Sequence, residues 1–153
     1  MNKKVYTLCL LSNDTHVLLG LKKRGFGEGY WNGFGGKVEE GESIETATRR
    51  ELLEEAGIHA ARLEKQGVNS FEFVGDPVIL EVHIFSVPEF SGKPKESDEM
   101  RPQWFKKNDI PYHAMWADDK FWLPHFLAGQ RFAGVFTFKD KKLLKHTLNI
   151  FDA

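Results

Sequence analysis

Cysteine is almost absent from this chain of 153 residues, Cys9 being the one thiol. An internal disulfide is therefore excluded. A lone Cys inside the apolar run VYTLCLLS reads as a small core residue in a protein of a reducing compartment. No apolar run approaches the ~20 residues that a membrane-spanning helix requires. No excess of charge of either sign exists: 21 Lys and Arg stand against 22 Asp and Glu, a formal net charge of -1. Neither polymeric nucleic acid nor an anionic membrane is expected as a partner on that balance. Repeats, low-complexity tracts and linkers are missing as well. The N-terminus, MNKKVYTLCL, enters a strand pattern at once and leaves little room for a targeting peptide. The expectation is one compact domain over residues 1–153. Its expected location is the cytoplasm, with a mitochondrial or nuclear fraction as the alternative.

What is present is a sequence of short strand patterns broken by two helical ones. VYTLCLLS and HVLLGLKK predict two strands joined by the turn SNDT. Residues 25–41 carry seven glycines and predict a loop-rich segment in which the backbone bends or closely approaches something. Ser43 as N-cap, Glu45 in the first turn and Gly57 past the end delimit a helix. SFEFVG and VILEVHIFSV predict a hairpin around GDP, and MRPQWF a short strand. DDKFWLPHFLAG predicts a second helix, in which Pro124 must lie in the first turn or produce a kink. RFAGVFTFKD and KLLKHTLNIF predict the closing strands. Strands with isolated helices between them imply a mixed α/β sheet covered by helices.

The first helix concentrates charge of one sign. Glu51, Glu54 and Glu55 stand at i, i+3 and i+4 and share one face. Such a face is either solvated, balanced in part by Arg49 and Arg50, or a cradle for a divalent cation. Mg²⁺ takes carboxylate oxygens together with waters and substrate phosphates. The surrounding spacing decides. Gly36, five residues, Glu42, seven residues and then Arg50-Glu51-Leu52-Leu53-Glu54-Glu55-Ala56-Gly57-Ile58 match the Nudix box, G-x5-E-x7-R-E-U-x-E-E-x-G-U, at every specified position. The chain therefore resembles the Nudix hydrolases, and that resemblance implies a fold: an α/β/α sandwich with a central mixed sheet and a loop-helix-loop site. The site would hold Mg²⁺, with Mn²⁺ as the alternative, to act on a nucleoside diphosphate linked to a further group. The implied metal ligands are the carbonyl of Gly35 and the carboxylates of Glu51, Glu54 and Glu55. Glu42 and Arg50 resemble the family's bracing ion pair. Leu52, Leu53 and Ala56 are expected to pack on the sheet.

Outside the box, KKRGFGEGYWNGFGGKVEEGE, FEFVG, SDEMRPQWF and MWADD resemble the animal MutT-homologue family, the oxidised purine nucleoside triphosphate hydrolases. The resemblance runs from about Tyr6 to Leu148. It implies a monomeric, Mg²⁺-dependent enzyme that converts 8-oxo-dGTP, 2-hydroxy-dATP and related nucleotides to monophosphate and pyrophosphate, keeping damaged bases out of DNA. A nucleotide is then the partner.

Several residues carry that reading, each with a plainer one beside it. Trp116 would stack on the base or simply pack. Asp118 and Asp119 would meet the base edge or cap a helix. Two adjacent acids in a half-buried slot repel, so one can keep a proton and offer both donor and acceptor. Asn32 would contact the base edge or serve its own turn beside Gly33. Phe71 and Phe73 share a strand face and are pocket wall or core. By family match Thr7, Leu8, Phe26, Leu80, Met100 and Trp122 line the pocket. Leu80 stands where the family pattern has methionine, a volume-conserving change. Lys22 would lie near the phosphates, or be a solvated strand-end lysine. Gly35, Gly36 and Lys37 complete the candidate substrate contacts. Glu99 is a loop acid in isolation and, by family match, a further metal ligand or the catalytic base. Glu54, Glu55 and Glu99 remain open as the base. The six histidines show no metal-binding spacing. The rival readings are a Nudix hydrolase of general dNTPs, dinucleoside polyphosphates or nucleotide sugars, and a Nudix-fold module that binds without turnover.

Overall fold

The computed structural model describes residues 2–151. The elements are β1 (Asn2–Ser12), β2 (His16–Lys22), β3 (Trp31–Asn32), β4 (Phe34–Lys37), α1 (Ile44–Ala56), β5 (His59–Phe73), β6 (Val78–Ser91), β7 (Met100–Lys106), α2 (Asp119–Leu127), β8 (Arg131–Lys139) and β9 (Lys142–Phe151). A single 3₁₀ turn, Tyr112–Ala114, precedes α2. The strands order as β3-β2-β1-β6-β5-β8-β9, with β4 on β1 and β7 on β2. The pairs β1–β6 and β5–β8 run parallel and the other pairs antiparallel, so the sheet is mixed.

Two apolar clusters fill the space on opposite faces. Leu52 and Ala56 of α1 pack with Cys9, Leu11, Leu18, Phe34, Phe85 and Val87. Trp122, Leu123 and Phe126 of α2 pack with Leu10, Ile84, Phe132, Phe136 and Phe138. The result is the helix–sheet–helix layering expected. Period-2 alternation explains it, because Cys9 and Leu11 point one way and Leu10 the other.

Local chemistry sets the ends of α1. The Ser43 hydroxyl accepts from the Thr46 N–H at 3.1 Å, and Gly57 ends the helix in the left-handed conformation at φ 70°. Three expectations need correction. Leu53 does not pack on the sheet and is 43% exposed; Thr48, fully buried one turn before Leu52, takes the inner position instead. The glycine-rich segment contains two short strands, because Tyr6–Cys9 of β1 offers an open edge on which Phe34–Lys37 pairs. β5 begins at His59, directly after the helix, and bulges against β6 near Arg62 and Lys65. Its irregular first half hid it from a periodicity argument. Of the two places expected for Pro124, the first turn is excluded, since it is the sixth residue of α2.

Candidate active site

A cavity of about 270 Å³ opens between α2, the β1–β6–β5 face of the sheet and the glycine-rich segment. Fifteen of the sixteen candidate substrate contacts line it: Thr7, Leu8, Lys22, Phe26, Asn32, Gly35, Gly36, Phe71, Phe73, Leu80, Met100, Trp116, Asp118, Asp119 and Trp122. Lys37 does not; it is exposed at the end of β4, and its backbone oxygen accepts from Arg50 at 3.3 Å. Tyr6, Gly33, Val82, Ile84 and Phe138 also line the cavity. Alternation from Leu80 would have indicated Val82 and Ile84, and alternation from Phe136 would have indicated Phe138.

The aromatic wall is built around Trp116. Phe26 stacks on it at 5.0 Å, and Tyr30 and Phe138 approach edge-on at 5.3 and 5.8 Å. Phe26 is a rim residue, 69% exposed. Phe71 and Phe73 serve as wall and core together: their rings stack on Phe136 and Phe138 at 5.6 and 5.8 Å. Asn32 donates from Nδ2 to the Tyr30 carbonyl at 3.0 Å. That contact uses one of its two amide N–H groups and leaves the second.

Asp118 and Asp119 are 3% and 8% exposed. Asp118 sits at the N-cap of α2 but makes no side-chain cap. Its carboxylate instead accepts from the Trp122 indole N–H at 2.8 Å, which removes the capping reading for it. Burial raises the pKa of Asp118, a rise that the Trp122 and Asp119 contacts moderate. Burial raises Asp119 well above its ordinary value, and the neighbouring Asp118 charge adds to the rise. Two carboxyls in a dry slot cannot both ionise cheaply, so the pair is arranged to keep a proton.

The glutamate face meets the same cavity through Glu55. Its Oε1 accepts from the Gly35 N–H at 2.9 Å. Burial pushes its pKa up to about 8, partly offset by that hydrogen bond and reinforced by Glu51. Glu51 is also raised, by burial first, against the Arg50 contact. A Cβ on Gly36 would lie 2.8 Å from the Glu51 carboxylate, and one on Gly35 would lie 1.9 Å from the Thr7 carbonyl. Both positions need glycine because another group occupies the space of the side chain. Arg50 grips Glu42 through Nε at 2.7 Å and Nη2 at 3.0 Å, a fork that lowers Glu42 to about 2. The same guanidinium reaches Glu51 at 2.7 Å and Glu54 at 3.4 Å.

Glu99 arrives on the loop before β7. That loop is tied to the last turn of α1 by Ser97 Oγ donating to the Glu55 carbonyl at 2.9 Å and Lys95 N to the Ala56 carbonyl at 2.8 Å. The Glu99 carboxylate accepts from Arg24 at 2.8 Å, and its charge helps raise Glu55. Among the described residues no three His, Cys, Asp or Glu side chains form a ready-made metal cage. Glu51 and Glu54 are turned onto Arg50, Glu55 onto Gly35 and Glu99 onto Arg24. The donor set still suits a hard divalent cation. It consists of oxygens, and burial makes the charged forms of Glu51 and Glu55 costly, a cost that a bound cation would offset.

A model of the NUDIX domain matches residues 2–126. The oxidized purine nucleoside triphosphate hydrolase of Mus musculus is 51% identical over 151 residues, 98% of this chain and 97% of that protein. The protein of the same name from Danio rerio is 52% identical over 147 residues, 95% and 94% of the two chains. In structure, the mutator MutT protein of Bacillus halodurans superposes with a TM-score of 0.85 at 32% identity, covering 95% of this chain and 97% of that one.

Proposed function

The chain belongs to the Nudix family, and on that premise we propose that it hydrolyses oxidised purine nucleoside triphosphates to the monophosphate and pyrophosphate. The observation that carries the reading is the buried Asp118–Asp119 pair, held toward protonation in the same cavity that Trp116 walls and Glu55 enters. An oxidised base differs from a normal one in its pattern of donors and acceptors. A carboxyl pair that shares a proton can match more than one such pattern, and Asn32 adds a further donor and acceptor. The triphosphate then extends toward Lys22, Gly36 and the glutamate helix.

Gly35 through its carbonyl, with Glu51, Glu54, Glu55 and Glu99, would hold Mg²⁺ or Mn²⁺. The ion supplies phosphate neutralisation and a more acidic water. Water attacks phosphorus, the bond to the pyrophosphate leaving group breaks, and a carboxylate takes the proton. Of the three candidates for that base, Glu54, Glu55 and Glu99, Glu55 is the one that lines the purine cavity. The Arg50 fork on Glu42 ties the loop to the helix. No helix among the described residues is long and apolar enough to cross a membrane. A monomer acting in the cytoplasm, with a mitochondrial or nuclear fraction, completes the proposal.

The test is a panel of kcat/KM values for pyrophosphate release with Mg²⁺ across normal, oxidised and methylated purine triphosphates. Preference for 8-oxo-dGTP or 2-hydroxy-dATP over the normal nucleotides is expected. Equal rates on all of them, or greater activity on dinucleoside polyphosphates or nucleotide sugars, overturns the reading.

A further inference from the structure

We propose, on the reading of Glu99 as a metal ligand given above, that Arg24 competes with the divalent ion for that carboxylate and lowers the affinity of the site for metal. Arg24 is then the counter-ion of Glu99 whenever no metal is bound.

The loop that carries Glu99 is fixed by contacts that leave its carboxylate free to turn. Lys95 N and Ser97 Oγ donate to the Ala56 and Glu55 carbonyls at the end of α1, at 2.8 and 2.9 Å. The Glu99 carbonyl accepts from Lys23 N, just past β2, at 2.8 Å. Lys23 Nζ donates to Glu96 at 2.6 Å and to the Ser97 carbonyl at 2.9 Å. The Glu99 carboxylate takes part in none of these contacts. It can exchange partners by rotation about its own side-chain bonds while the loop stays clamped between α1 and the end of β2.

Its partner is Arg24, which donates to Oε1 from Nε at 3.1 Å and from Nη2 at 2.8 Å. The Glu99 charge also reaches the glutamate face, where it adds to the rise in the pKa of Glu55. Glu55 lines the cavity and accepts from the Gly35 N–H at 2.9 Å. The Glu99 carboxylate is thus within electrostatic reach of both a guanidinium and the acids that an ion would join.

The ion pair is open to exchange. The Arg24 and Glu99 side chains are 62% and 45% exposed, and an exposed pair contributes little stability. Among the described residues Glu99 is the one carboxylate within ion-pair distance of Arg24. Arg50 differs: its side chain is 27% exposed, and it meets Glu42, Glu51 and Glu54 at once. A guanidinium and a divalent cation on one carboxylate share its charge and repel each other. Each weakens the hold of the other, and that coupling is reciprocal. The guanidinium spares Glu99 an unpaired charge when no ion is bound and weakens the grip on the ion when one is.

The test is Mn²⁺ binding to the whole chain without nucleotide, followed by the electron spin resonance of the free ion. Arg24→Gln should tighten Kd about two- to five-fold, the range for release of an exposed ion pair. Glu99→Ala should weaken binding, and adding Arg24→Gln to it should have no further effect, because the guanidinium acts through that carboxylate. Lys23→Gln, which removes the same charge from the neighbouring residue, should bind like wild type. In NMR spectra the Arg24 Nε–Hε signal should shift as Mg²⁺ is added to wild type and stay in place in Glu99→Ala. Unchanged Mn²⁺ affinity in Arg24→Gln would overturn the proposal. So would a loss of affinity, which would make Arg24 a brace that orients Glu99 for the ion. An equal gain with and without Glu99, or in Lys23→Gln, would reduce it to a general effect of charge. Unchanged binding by Glu99→Ala would instead remove Glu99 from the metal ligands, and the competition with it.

Discussion

Replacing Glu55 by Gln should make the metal-free protein more stable at alkaline pH and leave it unchanged in acid. Glu55 is mostly buried, and its pKa is pushed up from 4.5 to about 8. Below pH 4.5 the carboxyl is protonated in folded and unfolded chains alike, so it contributes no pH dependence. Between 4.5 and about 8 the unfolded chain ionises while the folded one keeps its proton. The unfolded state then binds fewer protons, and native stability falls as pH rises through that window. At ~1.36 kcal/mol per unit the ceiling of the loss is near 5 kcal/mol, and local relaxation reduces it to on the order of 2–4 kcal/mol. Gln keeps the volume, and its amide oxygen can still accept the Gly35 N–H, so the substitution removes the charge with little change in packing. For a domain of this size that corresponds to a Tm about 5–15 °C above wild type at pH 8.5 in EDTA, with no difference near pH 4.5. Scanning calorimetry across that pH range is the assay. Adding Mg²⁺ at pH 8.5 should raise the wild-type Tm and move the variant less, since the ion supplies the charge that Glu55 lacks. Parallel pH curves for the two proteins in EDTA would refute the claim that buried, uncompensated charge at Glu55 shapes the site.

Trp116→Ala should weaken binding of 8-oxo-dGTP and 2-hydroxy-dATP by similar amounts, ~1–3 kcal/mol each in KM, the range for a base stacked on an aromatic ring; unchanged KM for both would return Trp116 to packing. Asp118→Asn and Asp119→Asn fix the donor and acceptor pattern at one position, so at least one should change the ratio of kcat/KM for those two substrates by roughly five- to 150-fold without lowering Tm. A constant ratio in both variants would remove the pair from base recognition. Gly36→Ala places a methyl 2.8 Å from the Glu51 carboxylate, and kcat should fall by at least roughly ten-fold as that carboxylate is displaced; the far-UV circular dichroism should not change, and wild-type turnover would show that the crowding is relieved at no cost.

The spacing of Gly36, Glu42, Arg50, Glu51, Glu54, Glu55 and Gly57 was readable from the chain alone, because it lies within one loop and one helix and helical geometry turns offsets into a shared face. Alternation did the same for Phe71 and Phe73, and local capping chemistry for Ser43 and Gly57. Long-range packing decided the rest. Leu53, at the unspecified position of the box, faces solvent although apolar, because the sheet meets α1 along Thr48, Leu52 and Ala56. Asp118 occupies a cap position, but its carboxylate turns to the Trp122 indole one helical turn later, a choice set by the dry slot around it. Lys37 follows two pocket glycines in sequence and still points away, since β4 ends there. The carboxylates are likewise partnered by groups far away in sequence, Glu55 by Gly35 and Glu99 by Arg24. Local rules specify which groups can share a face; what each group meets across that face is determined by elements that come together only in the tertiary structure.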